Sequence, residues 1–118
     1  MKATELMLGN MVQYISDTMP VKTVTLNRIS SSGRLSVEEY PHEYITTDNI
    51  VGYPITDDVL SKAGFKQREG VFFKDEFDVV VDNDTYYFMG CEIRFVHELQ
   101  NLFNVVFGIE CPIKKEHL

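Results

Sequence analysis

The chain has no Trp, two Cys and four Pro in 118 residues. Cys91 and Cys111 do not make a disulfide framework, and no two Cys or His residues stand at zinc-ligand spacing. A single bridge between the two cysteines stays open at this level. Basic residues are scarce as well, with 11 Lys and Arg against 18 Asp and Glu, a net charge of −7. Such a field repels phosphate backbones and anionic membrane surfaces, which disfavours both as partners. Residues 56–118 are the more acidic part, with seven basic and twelve acidic groups. No apolar run approaches the roughly 18 residues of a membrane span. The first twelve residues carry Glu5 and lack the basic start and apolar run of a secretory leader, so the cytoplasm is the expected location. Glycine-rich phosphate loops of the G-x-G-x-x-G or Walker type are missing.

Aromatic residues, by contrast, are plentiful: eight Phe and six Tyr. Apolar residues make up 44% and charged residues 25%, a globular composition that predicts a core built on rings. A chain this long buries roughly two-thirds of the surface it exposes unfolded, enough for a core without staples.

The first 55 residues read as short strands. Leu8-Gly9-Asn10 is turn chemistry before the β-favouring run Met11 to Ile15. Ser16 to Pro20 is a loop. Val21 to Ile29 alternates, with Val24 and Leu26 as the buried pair. Ser30 to Gly33 turns the chain, and Arg34 to Val37 returns as the second arm of a hairpin. Tyr40 to Asn49 reads as irregular, and Ile50 to Tyr53 as a last short strand ended by Pro54.

The texture changes at Pro54. Thr56 to Gly64 carries helix punctuation at both ends: Thr56 as cap, Asp57 and Asp58 at the positive end of the dipole, Gly64 as stop. A meander follows, with turns at Arg68-Glu69-Gly70 and Asn83-Asp84. If Asn83-Asp84 is a two-residue loop, Val81 faces Tyr86 and Val79 faces Phe88, giving one apolar face. Gly90 breaks that run, and Glu92 to Phe95 reads as a further strand. Between Val96 and Phe107, apolar residues at 96, 99, 102, 103, 106 and 107 keep a helical period closed by Gly108. Cys111 to Leu118 reads as a loose tail.

Chemistry-bearing groups are few. His97, Gln100, Asn101 and Asn104 share one stripe of the last helix and are the candidate binding residues, suited to peptide backbone, a nucleobase or a partner's polar groups. The plainer account is that these groups bond the protein's own backbone, where most side-chain hydrogen bonds go. His97 could act as a general base, yet no Ser or Cys stands in a nucleophile motif beside it. His42 and His117 add nothing to a site. Asp75, Glu76, Asp78, Asp82 and Asp84 form an acidic run without the glycine and distal glutamate of a calcium loop, and read as charged hairpin edges. No catalytic residue, metal site or cofactor is expected.

Three segments carry a resemblance. Leu6-Met7-Leu8-Gly9-Asn10-Met11-Val12-Gln13-Tyr14 resembles an opening L-R-I-G-N-x-V. Phe95-Val96-His97-Glu98-Leu99-Gln100-Asn101-Leu102-Phe103 resembles a closing Y-V-H-x-L-Q-N-L-Y. Between them, Tyr53 to Phe65 is similar to P-I-P-L-T-E-E-W-L-x-K-F-G-F. In this order they resemble small uncharacterised proteins of Bacteroides-type bacteria and their prophages. That family implies no activity. The chain departs from its pattern at Val59, where the family often has Trp, and at Gly108 to Pro112, which only partly follows T-G-E-E-L. The opening is also similar to the first strand of SH3-like barrels, whose members bind peptides or nucleic acids; fold alone does not carry function.

The expectation is therefore an α+β protein. Residues 1–55 form a small antiparallel SH3-like sheet. Residues 56–118 form a short helix, an antiparallel β-meander and a C-terminal amphipathic helix packed on the meander, the two lobes unfolding as one unit. Functionally it reads as a non-enzymatic binding or accessory protein, with a mobile element as its candidate origin, a protein partner favoured over nucleic acid, no membrane, and the oligomeric state open. The rivals are a small hydrolase or transferase with an inter-lobe site using His97, and an acidic mimic of nucleic acid.

Overall fold

The computed structural model describes residues 5–17 and 20–118, and the chain divides into two compact units, Met1–Tyr53 and Pro54–Leu118. The fold is α+β, built on two five-stranded antiparallel sheets with few helices. Among the described residues no helix is long and apolar enough to cross a membrane.

In the first unit the strands are β1 (Met11–Tyr14), β2 (Lys22–Ile29), β3 (Arg34–Val37), β4 (Ile45–Thr46) and β5 (Ile50–Gly52), in the order β4-β3-β2-β1-β5. Gly9 takes φ +87° in the turn before β1, and its N–H donates to the Leu26 carbonyl. Asn10 fixes the same turn: its buried side-chain oxygen accepts from Met7 N at 2.7 Å. The alternation of β2 sends Val24 and Leu26 inward, and both are buried. The register then shifts between Leu26 and Arg28. Such an irregularity bends a strand and increases its twist, which suits a sheet that curls. Next to it, the Glu39 carboxylate accepts from Thr25 N at 2.8 Å and from the Thr25 hydroxyl at 3.3 Å. Inside the curl lie Val12, Val24, Leu26, Leu35, Val37, Ile45 and Ile50. Ile45 differs from the expectation of an irregular segment: it pairs with Leu35 and is fully buried. Two residues of strand are too short to show a period.

The second unit opens on α1 (Asp57–Lys62). Thr56 caps it by accepting from Val59 N at 3.2 Å, and Asp57 and Asp58 occupy the first turn. Gly64 ends it at φ +97°, and the Lys74 ammonium donates to the Ala63 carbonyl at 2.7 Å, a cation on the negative end of the helix. Strands β6 (Lys66–Arg68), β7 (Val71–Lys74), β8 (Phe77–Asp82), β9 (Thr85–Phe88) and β10 (Cys91–Ile93) follow as a meander. Asn83 and Asp84 take φ +51° and +61°, the signature of the tight turn that matches strand twist. This sets Val79 opposite Phe88 and Val81 opposite Tyr86, the register expected from the sequence.

One face of the meander is therefore apolar, and helix α2 (Val96–Leu102) with its continuation packs on it. Phe103 stacks on Phe88 at 5.0 Å between centroids and meets Phe77 edge-on at 4.7 Å. The last eight residues are not loose. Cys111 and Ile113 are buried, and the His117 ring accepts from Lys114 N at 2.8 Å. Two apolar side chains anchor the segment, a signal too sparse for any period.

Candidate interaction surface

Helix α2 starts from an extended Phe95. Glu98 reaches back over this end, its carboxylate accepting from Arg94 N at 2.8 Å and Phe95 N at 3.0 Å, with the Arg94 guanidinium at 3.7 Å. Val96, Leu99 and Phe103 then turn inward. The four stripe residues run from interior to surface. His97 is 1% exposed, its ring parallel to that of Phe95 at 5.7 Å. Gln100 and Asn101 are half-buried, and Asn104 is exposed. The stripe is presented most fully at its C-terminal end, and burial keeps the His97 ring from solvent.

Beyond Leu102 the helix widens to a π-turn over Phe103–Phe107. Phe103 and Phe107 both meet Phe77 and Phe88, Phe107 edge-on to Phe77 at 5.1 Å. The same turn leaves Val105 71%, Val106 48% and Phe107 39% exposed, with Ile109 46% exposed after the Gly108 stop. Gly108, at φ +65°, closes the turn by donating to the Asn104 carbonyl at 3.0 Å. The helical period placed Val106 and Phe107 on the buried stripe; the wider turn carries them to its rim. The periodicity reading missed Val105; the signal that finds it is its place two residues past Phe103, on the opposite side of a helix.

The Tyr86 hydroxyl donates to Asp57 Oδ1 at 2.5 Å, tying α1 to β9; burial first, then this bond, push its pKa up to about 12. Both cysteines are free, Cys91 exposed and Cys111 buried, and burial pushes the Cys111 thiol up to about 11. Among the described residues, no three or more His, Cys, Asp or Glu side chains gather in a way that could hold a metal ion. The carboxylates of Asp75 to Asp84 are spread along β8 and its two turns. Comparison with protein-family models, with curated proteins and with solved structures finds no match to this chain.

Proposed function

We propose that the protein is a non-enzymatic binding module that captures a partner protein on the C-terminal end of the α2 rod. The observation that carries this is the exposed run at 104–109: one amide, Asn104, set among Val105, Val106, Phe107 and Ile109. Contiguous apolar surface of this kind, with a polar group to fix orientation, is what a protein partner covers. The net charge of −7 favours a neutral or basic protein surface over nucleic acid or an anionic bilayer. In the first unit, a 3-10 turn leads from β4 to a β5 that returns beside β1, which supports reading that sheet as SH3-like. The resemblance of the closing segment to chains of prophages supports an accessory role in a mobile element.

The test compares capture from the host by the wild-type chain and by a Val105→Ser, Val106→Ser variant. Both side chains face solvent, so melting is expected to stay within about 1 kcal/mol of wild type. The variant loses the captured protein, and Asn104→Ala weakens its retention. Equal capture by wild type and the double variant would refute the assignment.

A further inference from the structure

The second face of the meander, the one turned away from α2, carries an ordered row. The strand registers place Glu92, Tyr87, Val80, Val71 and Arg68 side by side across β10, β9, β8, β7 and β6. Directly paired residues of antiparallel strands share a face, so the row is one surface feature. It has an acid at one end, a base at the other and three apolar side chains between. Strands lie about 4.8 Å apart, so the two charged ends are roughly 19 Å from one another. Phe73, two residues along β7 from Val71, widens the apolar strip. The face is open: Val80 is 44% exposed, and a shallow depression of about 370 Å³ is lined by Arg68, Glu69, Val71, Phe73 and Asp78.

A row of this kind is complementary to its own reverse. Turn a second copy about a two-fold axis running along β8 and lay it face to face on the first. Arg68 then stands over the partner's Glu92, Val71 over the partner's Tyr87, and Val80 over its own image. Rotation about an axis along the row would instead set Glu92 on Glu92 and Arg68 on Arg68. We propose that this face is a homodimer interface, in which a second copy of the chain seats on the row about an axis along β8. The contact is isologous, so each charge pair is made twice. Sheets packed in this way sit about 10 Å apart with strands about 30° out of line.

Two features hold the dimer weak. Asp78 and Asp82 flank Val80 on β8 and meet their own images across the axis. The patch, about 19 Å across and some three residue rows deep, falls short of the roughly 800 Å² per partner of a standard interface. The assembly is therefore a dynamic one, with Kd on the order of 10–1,000 µM.

Analytical ultracentrifugation of the full chain, from about 10 µM to 1 mM, reads this directly. The expected result is a monomer–dimer equilibrium. Arg68→Glu and Glu92→Arg each weaken it about tenfold or more, and the double swap restores it to within about threefold. Rescue cannot come from within one copy, because the two positions lie roughly 19 Å apart. Asp78→Asn removes a repulsion on the axis and tightens the dimer. All three positions are exposed, so each variant melts with the wild type. A monomer throughout the range, a dimer indifferent to the single swaps, a double swap no better than either, or an Asp78→Asn dimer no tighter than wild type would each overturn the proposal. Loss of partner capture at Val105 and Val106 is independent of every one of these results.

Discussion

Replacing Ile113 by Ala removes three carbons from a side chain that is 1% exposed, in a segment the sequence marks as tail. At about 0.8 kcal/mol per buried methylene the transfer loss alone is about 2.4 kcal/mol. The cavity left behind adds to this, because neighbours relax only in part, and the total comes to about 3–4 kcal/mol. Domains of this size are stable by about 5–15 kcal/mol, so the change removes a large share. The corresponding drop in Tm is about 10–20 °C, read by circular dichroism and checked by urea titration. Ile113→Val, which removes one carbon, costs about 0.5–1.5 kcal/mol. Ile109 supplies the control, since it is 46% exposed four residues earlier. Its replacement by Ala costs about 1 kcal/mol or less. The result required is that Ile113→Ala costs clearly more than either Ile113→Val or Ile109→Ala. Should Ile113→Ala melt together with Ile109→Ala, the reasoning that anchors residues 111–118 in the core fails.

Alkaline titration tests two further groups. Burial pushes Cys111 from 9.0 up to about 11, and burial with the Asp57 bond pushes Tyr86 from 10.0 up to about 12. Both acids keep their proton longer folded than unfolded, so the stability they carry is whole below pH 9. It is lost as pH rises, between 9 and 11 for Cys111 and between 10 and 12 for Tyr86. The urea midpoint falls across that window, and Cys111→Ala removes the lower part of the fall; a flat profile from pH 9 to 12 would contradict the burial of both groups. Gly64→Ala sets a Cβ at φ +97° and 2.7 Å from the Lys74 ammonium, displacing it from the Ala63 carbonyl. The expected loss is about 1–2 kcal/mol by chemical denaturation, with Lys74→Met alone losing about 1 kcal/mol.

Where local chemistry and long-range packing agree, the sequence is enough to place the chain. Asn83-Asp84 admits a tight turn, and that turn fixes which residue of β8 meets which of β9. Thr56 and Gly64 bound α1 because each meets a need of the helix end itself. Val24 and Leu26 follow from a period of two. The misses share one cause. Ile45, Cys111 and Ile113 are buried by the rest of the fold, while their neighbours in sequence carry no periodic signal. The candidate stripe of α2 was placed on one line, but its depth was invisible: a period says which residues align, and only the packing of Leu99 and Phe103 says that His97 lies under the surface and Asn104 on it.

The same limit explains why the meander's two faces were unequal in the sequence. The pairs Val79–Phe88 and Val81–Tyr86 announce a core because both partners are apolar. Residues of the other parity look like ordinary surface, since Asp78, Val80 and Asp82 alternate charge with a single aliphatic. Their order emerges only once five registers are known together, and it then reads Glu92, Tyr87, Val80, Val71, Arg68. A face meant only for water gains nothing from gathering its apolar groups at the centre and its opposite charges at opposite ends. A face meant for its own copy gains from both, because the two-fold turn converts that gradient into two matched ion pairs around a dry middle. The charge swap at Arg68 and Glu92 separates these cases, since water is indifferent to which end is positive and a second copy is indifferent only when both ends are exchanged.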